Sequence, residues 1–303
     1  MTNELKSITK RIDNEFLKYF LSDMDMETIF VVGSMAKDDY QDRMDNDYDI
    51  RVICNEVNSE KLLNFEKFLK ELSKKLTTKD IEVGYSTLVG PVNHKVSKNK
   101  KNVLIHAMIH TKDQMNDFLP VTHKYQYGTN YRIVYGKDTL KRFQDIRYNL
   151  DELVNAHEGL NYCIDMLKKG EYRYLTWDVT NENYEFNYHA VPMSDEVILE
   201  NCFYSVNKFV NNLMNYCKWE NYDIPENKVI FCIRLLGQAS ITEDILFLLE
   251  GLFTKSESIL KAIFANPLEE TINLLEKFKI YVYKLDEIFP KKEKEKQKKL
   301  VRS

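Results

Sequence analysis

Residues 28–53, TIFVVGSMAKDDYQDRMDNDYDIRVI, constrain the fold more than any other segment of the 303-residue chain. The apolar run at 29–32 predicts a buried strand, and the Gly33-Ser34 pair that follows it predicts a turn. After a polar connection, apolar residues alternate from residue 50 onward, which predicts a second strand that begins near Asp47. Strand, turn and strand in this order predict the start of a small sheet.

Asp47 and Asp49 are two residues apart on the second strand, so their carboxylates are expected on the same side of the sheet. Two carboxylates held together repel each other unless a cation lies between them. Mg²⁺ is commonly bound by one or two carboxylates together with substrate phosphates. Because the Gly33-Ser34 turn offers backbone N–H groups and a hydroxyl to phosphate oxygens, the segment predicts metal-assisted phosphoryl or nucleotidyl transfer.

The segment contains further acids that we interpret as belonging to a loop: Asp38, Asp39, Asp42 and Asp45. Asp45 would share a face with Asp47, so these two form an alternative pair by strand periodicity. The expected start of the strand near Asp47 favours the pair of Asp47 and Asp49 instead.

The order strand, Gly-Ser, connection and D-x-D strand resembles the nucleotide-binding signature of the DNA polymerase β-type nucleotidyltransferase superfamily. GSMA and DYDI, with Asp47 13 residues after Ser34, are most similar to the streptomycin-type aminoglycoside adenylyltransferases and next to the lincosamide nucleotidyltransferases. The resemblance implies that Asp47 and Asp49 bind metal and that Gly33 and Ser34 contact phosphate. It also implies that Lys37 holds the β- and γ-phosphates, although a solvated lysine is an equal interpretation.

The same resemblance implies an enzyme that moves a nucleoside monophosphate, AMP in the first instance, to a hydroxyl of a small molecule. ATP or another NTP bound with Mg²⁺ would be the donor. An aminoglycoside or lincosamide antibiotic would be the acceptor, which makes antibiotic resistance the expected role.

A third Asp or Glu on a later strand is usual in this superfamily, but the matching strand here, NVLIHAMIH, carries His106 instead. Three interpretations stay open. His106 acts as a general base, Glu82 on the preceding strand supplies the carboxylate, or the site binds nucleotide without turnover. His110 shares the face of His106 and is a lesser candidate, and neither histidine spacing is diagnostic of a transition-metal site.

Apolar periodicity predicts an α+β protein in which a mixed sheet with flanking helices precedes a helical bundle. The resemblance implies that the first part is a nucleotidyltransferase domain. The expected domains are 1–138 and 139–303, the second binding the substrate and ending in a basic tail. Helices are predicted at 4–21, 58–76, 140–169, 196–218, 226–237, 242–253 and 268–289. Further strands are predicted at 81–89 and 102–110 and, as an edge strand, at 131–138, with an irregular approach at 121–130.

Residues 160–175, LNYCIDMLKKGEYRYL, resemble the start of the helical domain of antibiotic nucleotidyltransferases. The resemblance implies that Glu171 contacts a cationic acceptor or assists its deprotonation. From the residues alone, Gly170 is a helix C-cap and Glu171 an exposed acid. The aromatic segment 171–191 is either a hairpin or an ordered loop, and it either packs over the bundle or contacts a ligand.

The net charge of −4 and the pI of about 6.0 provide no general basic field for nucleic acid. Basic segments at 94–102 and 291–303 nevertheless keep a tRNA- or protein-modifying enzyme as an alternative. Five scattered cysteines without C-x-x-C spacing predict reduced thiols. With no signal-peptide core and no apolar run of about 20 residues, a cytoplasmic protein without a membrane partner is expected, and a homodimer is left open.

Overall fold

The computed structural model describes residues 3–22, 25–37, 45–90, 100–237 and 240–292. The chain divides into two compact units. The sheet unit comprises 1–147 and 172–192, and the helical unit comprises 148–171 and 193–303. The domains 1–138 and 139–303 stay a prediction, because they are defined by nucleotide transfer and substrate binding and not by compactness. The loop acids Asp38, Asp39 and Asp42, the lysine- and histidine-containing segment 94–99 and the tail 293–303 lie outside the described residues.

Five strands of the sheet unit form one mixed sheet in the order β3-β4-β2-β1-β5. Their bounds are β1 Met26–Val32, β2 Asp45–Cys54, β3 Ile81–Ser86, β4 Lys101–Thr111 and β5 Tyr131–Gly136. β4 lies parallel between β2 and β3, whereas β1 is antiparallel to β2 and β5. The mixed sheet and the edge position of β5 are therefore confirmed.

The two faces of the sheet are covered differently. Helices α1 (Asn3–Leu21) and α2 (Ser59–Leu76) bury their apolar stripes against one face, where residues such as Phe16 and Phe65 meet Ile50 in one core. On the other face, Phe30 belongs to a smaller core with Met115 from helix α3 (Lys112–Phe118). Asn58 caps α2, because its side chain accepts from the backbone N–H of Lys61 at 2.9 Å.

The prediction of an irregular approach at 121–130 is wrong, because Val121–Thr129 forms helix α4. The segment VTHKYQYGT has little apolar periodicity, so its own sequence does not indicate a helix. Tertiary packing stabilises it instead, since Gly128 lies so close to the Phe143 backbone that a Cβ would be 2.4 Å from the Phe143 carbonyl carbon.

On the face opposite Asp47 and Asp49, β2 is fixed by a polar cluster of Tyr48, Asp13 and Arg132. The Tyr48 hydroxyl donates to the Asp13 carboxylate on α1. Arg132 on β5 donates to the Tyr48 oxygen at 2.9 Å and forms an ion pair with Asp13 at 3.0 Å. Burial raises the pKa of Tyr48 well above its ordinary value, so the phenol stays protonated and continues to donate.

The aromatic segment forms a hairpin of β6 (Glu171–Val179) and β7 (Tyr184–Pro192), which confirms the hairpin alternative. Residues 172–192 group with the sheet unit. Leu175 pairs with Val89 in an antiparallel bridge, and the Trp177 indole donates to the Ile109 carbonyl at 3.1 Å. Backbone pairing and indole bonding attach the hairpin to the sheet, which the aromatic content alone could not indicate.

Helices make up the described part of the second unit, so the α+β fold class is confirmed. They are α5 Leu150–Asn155, α6 Leu160–Lys169, α7 Asp195–Trp219, α8 Lys228–Leu236, α9 Glu243–Thr254, α10 Glu257–Ile263, α11 Pro267–Tyr281 and α12 Leu285–Ile288. All five cysteines are buried free thiols. Across the described ranges, the helices fall short of the length and apolarity that crossing a bilayer requires.

The single helix predicted for 140–169 is wrong, because the chain leaves helical geometry between α5 and α6. Glu158 adopts a left-handed φ of 60°, a conformation that interrupts a right-handed helix. At the end of α6, Gly170 has φ 62° and donates to the Leu167 carbonyl at 3.1 Å, so the predicted C-cap is confirmed. The helix predicted for 268–289 also ends early, at Tyr281.

Glu158 and Lys208 form a buried ion pair in the helical unit, with side chains 7% and 5% exposed. Lys208 also donates to the Tyr204 hydroxyl at 2.9 Å. We expect Glu158→Gln to lower the free energy of unfolding by about 3 kcal/mol, because it leaves a buried ammonium without its counter-charge. Urea unfolding followed by far-UV circular dichroism measures the loss. The double variant Glu158→Gln/Lys208→Met should recover most of it, and equal losses in both variants would contradict this account.

Candidate active site

Asp47 and Asp49 lie half-buried on one side of β2, whereas Asn46, Tyr48 and Ile50 are buried on the other. The strand periodicity predicted from the sequence is therefore present. Because β2 lies between β1 and β4, Asp49 faces a neighbour on each side. It pairs with Val32 on β1 and with His106 on β4.

The turn after β1 places backbone directly against Asp49. Gly33 has φ 78° and ψ −159°, a region that only glycine adopts readily. A Cβ at this position would lie 2.8 Å from Oδ2 of Asp49. Asn130 holds the turn, since its amide donates to the Gly33 carbonyl at 2.7 Å and its carbonyl accepts from the Gly33 N–H at 3.2 Å. Ser34 is exposed at this turn, which keeps it available to a ligand.

His106 joins the two carboxylates. One ligand atom from each of Asp47, Asp49 and His106 lies within 4.8 Å of the others. Nδ1 of His106 is 2.8 Å from Oδ1 of Asp49, and Nε2 contacts the carbonyl oxygen of Leu88. With its side chain only 8% exposed, the imidazole lies at the place where the resemblance leads one to expect a third acid.

Glu82 is not brought to this group. It pairs in register with Asn102 on β4, four residues before His106, which corresponds to roughly 13 Å along the strand. Its carboxylate forms an ion pair with Lys100 at 3.1 Å. Of the two residues considered as substitutes for the third acid, the fold brings His106 to the aspartate pair.

Asp45 lies in β2 and not in the preceding loop, so the reason given for setting it aside is wrong. Interstrand pairing with β4 extends the strand to this residue, opposite Asn102. The carboxylate of Asp45 accepts from the Asn102 amide at 2.7 Å, and the Asn102 carbonyl accepts from Asn46 at 3.0 Å. The bond from Asn102 holds the Asp45 carboxylate at the start of the strand.

Arg51 is a member of the site that the sequence reasoning missed. Its side chain is only 4% exposed, and Nη2 lies 3.3 Å from Oδ1 of Asp49. Nη1 donates to the His106 carbonyl at 2.6 Å, and Nε donates to the Tyr127 hydroxyl at 3.2 Å. Burial opposes the charged guanidinium, but Tyr127 and Asp49 outweigh it and raise the pKa of Arg51. A permanent positive charge therefore supports Asp49, and the signal was the D-x-D-x-R alternation on one strand face.

Three other candidates have different surroundings. Glu171 is the half-buried first residue of β6 and groups with the helical unit, so its contact with an acceptor remains a prediction. His110 is fully buried among aromatic rings, with centroids 4.3 Å from Phe118 and 5.7 Å from Phe186. Lys37 is exposed immediately after the Gly33 turn, and its phosphate contact also remains a prediction.

The donor chemistry of the group fits a divalent cation. Two carboxylates and an imidazole nitrogen are metal ligands in proteins, and their mutual separations suit a single small ion. The neighbouring turn exposes Ser34, whose hydroxyl can bind a phosphate oxygen. The arrangement therefore combines a cation site with a place for an anionic group.

A scan against protein-family models finds no match, and a search of curated proteins likewise finds none. Among solved structures, the chain is similar to the spectinomycin adenyltransferase AAD(9) from Enterococcus faecialis, crystallised with ATP and spectinomycin. The TM-score is 0.50 at 11% sequence identity, and the alignment covers 90% of this chain and 99% of that one. At this identity the likeness establishes the fold alone, which this chain shares with that adenyltransferase.

Gly33→Ala should destabilise the protein more than Gly170→Ala. Both glycines have positive φ, but a Cβ on Gly170 would meet nothing within 4 Å, whereas on Gly33 it would meet Asp49. We expect a loss of about 1 kcal/mol for Gly170→Ala and roughly 2–3 kcal/mol for Gly33→Ala. Denaturant unfolding measures both variants. Equal losses would mean that the approach of the turn to Asp49 imposes no constraint.

Stability should fall in acid partly because of His110. Burial and then the charge of Arg51 hold the pKa of His110 well below its usual value. Because the unfolded state takes up a proton near pH 6.5 and the folded state does not, the stability present above that pH is lost as the pH falls. Between pH 7.5 and 5 the loss contributed by His110 is at most about 2 kcal/mol.

His110→Phe should remove this contribution while keeping a ring between Phe118 and Phe186. Urea unfolding of both proteins across this pH range gives the comparison. Parallel profiles for the wild type and His110→Phe would rule out His110 as the source of the slope.

Proposed function

We propose that this protein is a metal-dependent nucleotidyltransferase that moves a nucleoside monophosphate from an NTP to a hydroxyl of a small molecule. The observation that carries the proposal is the meeting of Asp47, Asp49 and His106 beside the Gly33 turn. Similar D-x-D and Gly-Ser elements define the signature that residues 28–53 resemble. The nucleotidyltransferase fold supports the same activity.

In this proposal Asp47 and Asp49 hold the cation, for which Mg²⁺ is the first candidate. When bound, the cation neutralises charge on the triphosphate oxygens. Gly33 and Ser34 orient the phosphates, and the exposed Lys37 balances the β- and γ-phosphate charge. The acceptor oxygen forms a bond to the α-phosphorus, the bond from that phosphorus to the bridging oxygen breaks, and pyrophosphate leaves.

The acceptor proton needs a base, and His106 remains one candidate. Its Nε2 lies against the Leu88 carbonyl, which can only accept, so Nε2 carries hydrogen in that contact. The remaining nitrogen, Nδ1, contacts Asp49 at 2.8 Å. A general-base role therefore requires Nδ1 to exchange this contact for one with the acceptor hydroxyl.

We propose ATP as the donor and an aminoglycoside-like or lincosamide-like antibiotic as the acceptor. The solved neighbour was crystallised with ATP and spectinomycin, which supports this class of substrates. Glu171 would contact a cationic acceptor, in which case Glu171→Gln raises the KM for the acceptor and leaves that for the nucleotide unchanged. The basic segments that would support a tRNA- or protein-modifying enzyme fall largely outside the described residues.

A nucleotide-binding protein without transfer activity is the second candidate. It is favoured by the charge balance at Asp49, whose Oδ1 accepts a hydrogen bond from the Arg51 guanidinium at 3.3 Å. A carboxylate compensated in this way attracts a cation less strongly than one of three acids would.

The test is a pyrophosphate-release assay with each of four NTPs against a panel of aminoglycosides and lincosamides. We expect Asp47→Asn and Asp49→Asn each to lower the rate by at least about 100-fold, because charge stabilisation of the transferred group is lost. Asp45→Asn is the matched control on the same strand face, and it should keep its activity because Asp45 bonds to Asn102.

Transfer that survives both Asp47→Asn and Asp49→Asn would refute the mechanism. Mg²⁺-dependent ATP binding without pyrophosphate release on any acceptor would favour the second candidate.

A further inference from the structure

His106 lies beside the carboxylates of Asp47 and Asp49, and its imidazole ring has a defined orientation. Nε2 of His106 faces the Leu88 carbonyl oxygen, which accepts a hydrogen bond and cannot donate one. In the neutral ring the hydrogen is therefore on Nε2, and the lone pair is on Nδ1. Nδ1 is directed at Asp49, 2.8 Å from Oδ1, and because an ionised carboxylate also only accepts, a proton or a cation must lie between these two atoms.

Proteins orient metal-binding histidines in this way. The ring nitrogen that does not bind the ion donates its hydrogen to a carbonyl or carboxylate, which fixes the tautomer. His106 fulfils this condition through Leu88, and its burial in a central strand holds the ring in place. The separation of Nδ1 from Asp49 is short enough for the two to be neighbouring ligands of one ion.

The charge at the site also differs from that of three carboxylates. Asp47 and Asp49 contribute two negative charges, and the buried guanidinium of Arg51 lies 3.3 Å from Asp49. Mg²⁺ is bound mainly through charge and oxygen ligands, so two acids and an imidazole bind it less tightly than three acids would. First-row transition-metal ions gain more from imidazole nitrogen than Mg²⁺ does.

We propose that the site is a mixed nitrogen–oxygen metal site in which Nδ1 of His106 is the third ligand beside Asp47 and Asp49. Such a site binds a divalent transition-metal ion more tightly than Mg²⁺. The inference uses the cation site of the proposed function, but it concerns the ion's ligands and holds whether or not transfer follows.

The experiment uses the full-length protein without nucleotide and three probe ions, Co²⁺, Mn²⁺ and Mg²⁺. Calorimetric titration should give affinities in the order Co²⁺, Mn²⁺, Mg²⁺, with Co²⁺ at least about tenfold tighter than Mg²⁺. Pulsed electron paramagnetic resonance of the Mn²⁺-loaded protein should detect coupling to an imidazole nitrogen. This spectroscopic signal does not depend on enzymatic activity.

His106→Asp restores an all-carboxylate set, so it should abolish the nitrogen coupling and reduce the preference for Co²⁺ over Mg²⁺. His189→Gln is the matched control, because His189 forms the hairpin's own histidine–aspartate pair with Asp178 at 3.0 Å. This variant should keep both the coupling and the preference.

Absence of nitrogen coupling in the wild-type protein would overturn the inference, even if His106→Asp failed to fold. Coupling that persists in His106→Asp, or disappears in His189→Gln, would overturn it as well. The outcome is separable from that of the proposed function. Pyrophosphate release without coupling refutes the metal-ligand assignment alone, and coupling without release supports that assignment while counting against transfer.

Discussion

Backbone pairing between the parallel strands β2 and β4 holds Asp49 level with His106, although 57 residues separate them along the chain. A shift of one residue would turn the imidazole to the opposite face of the sheet, where α1 and α2 pack. The same pairing allows Arg51 to reach the His106 carbonyl. The geometry of the candidate site therefore depends on one strand register more than on any single side-chain contact.

Opposite sides of β2 contribute differently to this register. On the side of α1 and α2, Tyr48 bonds to Asp13 and Arg132, which joins the strand to a helix and to the edge strand β5. On the other side, the Arg51 guanidinium lies 3.3 Å from Asp49 and compensates the charge of its carboxylate. Because buried charges are costly without partners, the guanidinium stabilises the half-buried carboxylate within the sheet.

The periodic elements and the turn could be predicted because their signals are local. Alternation along β2 predicts the shared face of Asp47 and Asp49, and the glycine at 33 predicts the turn. Alternation places Arg51 on the same face, but it could not predict that the guanidinium is buried. Its burial depends on the carbonyl of His106, 55 positions later, and on the hydroxyl of Tyr127, 76 positions later. The parallel register of β4 with β2 and β3 likewise decides that His106, and not Glu82, lies beside the aspartate pair.

Errors in the helical predictions have similar physical causes. The segment 121–129 becomes a helix because Gly128 permits close packing against the Phe143 backbone, a contact that periodicity does not encode. The long helix expected at 140–169 is interrupted where Glu158 adopts a left-handed φ and pairs with Lys208. Non-local packing decides both cases.

Because the hairpin groups with the sheet unit, neither unit is a continuous stretch of chain. The sheet unit is completed only by residues 172–192, which are translated after the first two helices of the helical unit. A ribosome must therefore translate the first two helices of the helical unit before Trp177 can reach the Ile109 carbonyl and Phe186 can cover His110. Until then, apolar surface of the sheet is open to water, so the nascent chain passes through an interval in which it depends on protection from aggregation.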